Sequence, residues 1–80
     1  MSSHHPLSIP KDLIRMKEEH NIPWMEAFRI YRGLELQDMA SALGMELREY
    51  REIEIGGSTD GYRLEMIGKT LCAPVSLLST

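Results

Sequence analysis

The sequence predicts an all-α fold in a single domain, and three observations carry that reading. Apolar residues recur at helical spacing: Trp24, Ala27, Phe28 and Tyr31 form one i, i+3, i+4, i+7 stripe, and Leu36, Met39, Ala40 and Leu43 form another. No stretch alternates apolar and polar residues as a half-buried strand would. Stop and start signals (Asn21, Pro23, Gly33, Gly44, Pro74) fall between the stripes. Eighty residues suffice for one small core, and a chain of that size is marginal alone, so a homodimer that buries further apolar surface is expected.

Residues 1–7 are expected to be a mobile terminus, and 8–80 the domain. A first helix begins within 8–11, with Ser8 as its cap and Pro10 in its first turn. Ile9, Leu13 and Met16 form its apolar row with Ile14 alongside, while Lys11, Arg15, Lys17, Glu18 and Glu19 face solvent. Asn21 ends this helix and caps the next, at about 22–32, again with Pro23 in the first turn. That second helix holds most of the aromatic mass and should supply the centre of the core. Gly33 closes it in the left-handed conformation, and Leu34 turns back inward.

The stretch 34–57 is the organising element. It reads as two short helices, about 35–43 and 46–55, joined by a tight turn at Gly44, which can take the positive φ such a turn needs. Ala40 is small enough to let the second backbone come close. Leu47, Tyr50 and Ile53 lie in one row of the second helix, and with Met45, Tyr50 and Ile53 inside, Leu47 falls on the outer side. A loop at 56–61 leads to a fifth helix, about 62–72, capped by Thr59 or Asp60. Its apolar row is Leu64, Ile67 and Leu71, and Gly68 points to a close helix crossing. Pro74 ends it, and Val75, Leu77 and Leu78 form one more helical turn.

Composition narrows the function classes. With 42% hydrophobic and 26% charged residues the chain belongs with ordinary globular proteins. Its one cysteine, Cys72, has no internal partner, so a reducing cytoplasm is expected. No apolar run approaches the roughly 18 residues of a membrane span, and no signal peptide is read. No metal or other cofactor is expected, because His4 and His5 find no third ligand at useful spacing. An enzyme is not expected either: Cys72 sits late in an apolar helix, the histidines lie towards the N-terminus, and no nucleophile–base or paired-carboxylate arrangement is legible. A net charge of −3 weighs against nucleic acid, although clustered basic residues count for more than the total.

The residues Arg29, Arg32-Gly33-Leu34, Met39-Ala40, Gly44, Tyr50, Glu54 and Gly56, with the closing Leu64, Ile67, Leu71, Pro74 and Val75, resemble the Cro/Xre-type helix-turn-helix proteins, which include phage repressors and many bacterial antitoxins. The likeness spans about 24–78 and implies a five-helix, lambda-repressor-like domain, here with a short extra helix at its N-terminus. The upstream Ile9-Pro10, with Trp24-Met25-Glu26-Ala27-Phe28-Arg29 leading into Arg32-Gly33-Leu34, is similar to antitoxins of bacterial type II toxin–antitoxin modules, which implies a toxin protein as a further partner. The family resemblance also implies a salt bridge from Arg29 to Glu54 that ties the second helix to the end of the recognition helix, and double-stranded DNA as the ligand.

Some positions depart from the family's pattern. Glu35 stands where a Thr or Ser cap is usual, and Leu36 where a Gln usually holds a DNA phosphate. Gln37, one residue on, points about 100° away on a helix. Glu46 replaces the usual Ser or Thr at the head of the recognition helix. It suits the helix dipole and repels a nearby phosphate. The positions offered to a major groove are Glu46, Leu47, Arg48, Arg51 and Glu52, with Gln37 and Arg32 nearby and Arg63 and Lys69 as further rim candidates. Arg48 can pair with guanine, Glu52 or Glu46 can accept from cytosine, and Leu47 can touch a thymine methyl. Arg51 can position a phosphate. Yet residues 46–54 hold four Glu and two Arg, an acidic balance that equally fits a solvated helix surface or a protein-binding face. The expected function is a sequence-specific DNA-binding regulator acting as a dimer, and the alternative is a helix-turn-helix domain that binds protein instead.

Overall fold

The computed structural model describes residues 9–56 and 59–79. They form six helices and no strand: α1 (Lys11–His20), α2 (Trp24–Tyr31), α3 (Leu36–Leu43), α4 (Leu47–Gly56), α5 (Gly61–Leu71) and α6 (Val75–Leu78). The all-α expectation therefore holds, with the sixth turn at 75–78 where the apolar coda placed it. Among the described residues, no helix is long and apolar enough to cross a membrane. The expected mobile terminus at 1–7, the Ser8 cap and positions 57 and 58 of the glycine-rich loop lie outside the described residues.

The helix ends explain several differences from the sequence reading. Pro10 and Pro23 stand at the N-caps of α1 and α2, one position before the first turn, where their fixed φ and missing N–H are tolerated equally well. Asn21 does not cap α2. It takes the left-handed conformation (φ 52°) that closes α1, a role its short polar side chain tolerates. Gly44 closes α3 at φ 67°, and the Met45 N–H returns to Ala40 O at 3.0 Å, so the turn into α4 is locked by backbone alone. At the head of α3 the Asp38 carboxylate accepts from the Glu35 N–H at 2.7 Å, a return bond that serves where a Ser or Thr cap was the usual choice.

The core gathers one or more residues from every helix: Leu13, Met25, Ala27, Phe28, Met39, Ala40, Tyr50, Ile53, Ile67, Leu71 and Leu78. The α2 stripe is rotated from the expected one. Met25 is buried, while Tyr31 at its far end is 41% exposed and carries the Arg32 guanidinium 5.5 Å from its ring centroid. Lys17 is half-buried rather than solvated, because its ammonium lies 5.0 Å from the Trp24 ring centroid, a cation–π contact that also shields the aliphatic stem. α3 packs against both α4 and α5, α1 against α2, and α6 against α5 and α2. Gly68 marks that last crossing: a Cβ there would stand 3.0 Å from Ala73 O and from Val75 Cγ2, so any other residue would push α6 back by a few tenths of an ångström.

Candidate nucleic-acid interface

α4 presents two chemically different sides. Its inner side buries Tyr50, Ile53 and Glu54. Among the described residues Glu54 is the one charged residue that is buried, and its carboxylate accepts two bonds from Arg29, from Nε at 2.9 Å and Nη2 at 3.1 Å. The third arm of the guanidinium, Nη1, donates to Leu34 O at 2.9 Å. One side chain on α2 thus fixes the far half of α4 and the loop entering α3, in the bidentate geometry that arginine supports and lysine does not. Burial alone would lower the Arg29 pKa. The bonds and negative charge of Glu54 outweigh it, and the guanidinium is held above its ordinary value.

Beside this pair the Tyr50 hydroxyl is fully buried next to the Glu54 carboxylate, without a hydrogen bond of good geometry. Burial, and then the adjacent Glu54 charge, push its pKa well above the usual phenol range, so it stays neutral.

The outer side of α4 carries Leu47, Arg48, Arg51, Glu52 and Ile55, all exposed. Leu47 is 43% and Ile55 71% exposed. Among the described residues, ion pairs join Arg15 to Asp12 and Arg29 to Glu54, so the Arg48 and Arg51 guanidinium groups are not neutralised by their glutamate neighbours. Glu46 sits just before the helix, where its N–H donates to Glu49 Oε1 at 3.2 Å and its carbonyl accepts from the Tyr50 N–H at 3.1 Å. Glu49 is thereby drawn back over the helix head. On α3, Gln37 is exposed and donates from Nε2 to Ser41 Oγ at 3.1 Å along its own helix. Leu36, one position earlier, is half-buried against the core.

The candidate rim residues do not share one face. Arg63 lines a cleft of about 410 Å³ with Glu49, Glu52, Ile53, Thr59 and Asp60, directly beside α4. Lys69 lies in a different groove at the other end of α5. Arg32 is committed elsewhere: Nε donates to Leu71 O at 2.7 Å and Nη2 to Cys72 O at 3.1 Å. It satisfies the last carbonyls of α5, which end a helix whose Cys72 cap is left-handed at φ 53°. Sequence reasoning placed Arg32 near DNA and missed this clamp, because its acceptors are backbone carbonyls 39 and 40 residues away, which leave no mark in residue type. The Arg29 bond to Leu34 O escaped for the same reason. The cleft beside α4 was also unforeseen, since it forms only when the 59–63 segment folds back along the helix.

Comparison with known proteins returned no match: no family model matches the chain, and no curated protein and no solved structure matches it significantly.

Proposed function

We propose that this chain is a sequence-specific DNA-binding regulator of the Cro/Xre helix-turn-helix type, with α3 and α4 as the motif and α4 as the helix that enters the major groove. The observation that supports it is the solvent-facing stripe Leu47, Arg48, Arg51 and Glu52, whose two arginines are free of ion pairs, on a helix held rigidly from behind by Arg29 and Glu54. Reading base edges requires side chains with free hydrogen-bonding ends on an element that does not move. In this reading Arg48 contacts guanine, Glu52 accepts from a cytosine amine, Leu47 meets a thymine methyl, and Arg51 with Arg63 holds phosphates. Gln37 reaches the adjoining backbone from α3, and Arg32 contributes through the fold rather than by contact. The protein acts as a dimer in the cytoplasm, as a phage-type repressor or as the antitoxin of a toxin–antitoxin pair, with the toxin as its protein partner.

A second reading draws on the acidic residues around the same helix. Glu46, Glu49, Glu52 and Asp60 crowd its head and the neighbouring cleft, and a phosphate approaching there meets negative charge. Those residues favour a basic protein segment over a DNA backbone and support a helix-turn-helix domain that has become a protein-binding module.

Binding of the wild type and Arg48→Ala to DNA from the region upstream of the native gene, measured at two salt concentrations, decides between them. Regulation by DNA binding predicts a specific complex with a steep salt dependence that the variant loses. Absence of any complex at low salt overturns it in favour of the protein-binding reading.

A further inference from the structure

The outer face of α5 is self-complementary, and the geometry points to it as the surface through which two copies of this chain pair. Tyr62, Glu65, Lys69 and Cys72 follow one another at i, i+3, i+7 and i+10 and therefore lie on one side of the helix, and all four are exposed. Tyr62 is 73% exposed, the highest value among the large hydrophobic residues described. Positions 62 and 72, and positions 65 and 69, are each symmetric about position 67. A two-fold axis level with that position runs α5 antiparallel to its copy. It sets Glu65 against the partner's Lys69, Lys69 against the partner's Glu65, and Tyr62 level with the partner's Cys72, roughly 7.5 Å along the helix from the axis.

What Tyr62 meets there is a built recess. A groove of about 420 Å³ opens between the C-terminal half of α5 and the start of α6, lined by Glu65, Lys69, Cys72, Pro74 and Val75 among others. Val75 is itself 37% exposed. One tyrosine from each copy enters the groove of the other, and the two ion pairs flank the axis. An exposed aromatic, a recess for it and opposite charges at matching positions are the elements of a specific interface. A second copy is the occupant these observations select, because the groove, the ring and both charges belong to the same chain and match under one rotation. None of the residues lies on α4, so the pairing stands independently of what α4 binds.

The test is sedimentation velocity of the full chain across a range of concentrations, with circular dichroism to show that each variant folds. The wild type should associate to a dimer. Glu65→Lys and Lys69→Glu should each raise the dissociation constant by about tenfold or more, because each sets like charges opposite one another, and the double variant Glu65→Lys/Lys69→Glu should return it to near the wild-type value. Tyr62→Ala should weaken association by about tenfold or more through loss of the buried ring. Under oxidation Tyr62→Cys should cross-link through the partner's Cys72, and Tyr62→Cys/Cys72→Ser should not. The two positions are too far apart on one helix to bridge internally. A monomer at millimolar chain concentration overturns the proposal. So does a dimer whose affinity none of these variants moves, or a double variant that fails to recover what the single reversals lost.

Discussion

The two sides of α4 differ in how much of their chemistry is used up within the chain. On the inner side Tyr50 and Ile53 are packed into the core, and the Glu54 carboxylate is committed to Arg29 through two bonds. On the outer side Arg48, Arg51 and Glu52 are charged, exposed and unbonded. A charge in the interior must be paired, since desolvation penalises it severely, whereas a charge on the surface is solvated and free to choose a partner. The contrast extends to the two arginines at the end of α2. Arg29 and Arg32 are one helical turn apart, and both are spent on internal acceptors, one on a carboxylate and one on the terminal carbonyls of α5. Among the described residues, the free basic side chains placed on or beside α4 are Arg48, Arg51 and Arg63.

Substitutions on the two sides should separate stability from binding. The largest effect is expected for Glu54→Ala, which strands the Arg29 charge in the interior. Urea unfolding should show a loss of about 3–5 kcal/mol, and an unchanged midpoint would mean the pair carries no structural weight. Arg48→Ala comes next and acts on affinity alone. It should cost about 1–3 kcal/mol of DNA binding and relax the requirement at one base pair, with folding stability altered by less than about 0.5 kcal/mol. Arg51→Ala, by contrast, should weaken all sequences alike and reduce the salt slope by about one.

Arg32→Ala tests the clamp on α5. A stability loss of about 1 kcal/mol is expected, small because the residue is exposed to water. An Arg32→Ala variant of full stability and reduced DNA affinity would return this residue to the groove-facing set.

The smallest effect should come from Tyr50→Phe, which removes a buried hydroxyl without a hydrogen bond of good geometry and should leave stability at neutral pH unchanged or raised by up to about 1 kcal/mol. Its clearer signature is in pH. The folded-state pKa of Tyr50 is raised, so the folded form retains the proton after the unfolded chain has released it. The wild type should therefore lose stability as pH rises above about 10, the ordinary phenol value. The Phe variant should lack that component in alkaline unfolding curves.

How much of this was legible in the sequence depends on the distance over which each feature is decided. The α3 stripe, the left-handed turn at Gly44, a cap at Thr59 or Asp60 (Asp60 in the structure) and the close crossing at Gly68 were readable because each depends on residue type within a few positions. The exposure of Tyr31, the burial of Met25 and the half-burial of Lys17 were not. A helical wheel leaves tens of degrees of rotation open, and only the neighbours that pack on it set the angle. Asn21 was misplaced because the same residue suits a helix start and a left-handed helix end, and the chain on either side selects between them.

The sequence by itself determined that this chain is helical and where its helices break. Those are consequences of periodicity and of backbone preferences at single residues. Only the tertiary structure decided which charges remain available. It spent Arg32 on the end of α5, set Glu49 over the head of α4, and drew Thr59, Asp60 and Arg63 alongside that helix. It also folded α6 back to open the groove in line with Tyr62 on the face of α5. Hydrogen bonds to backbone carbonyls and recesses between helices have no residue-type signature, and they come into being only when distant segments meet.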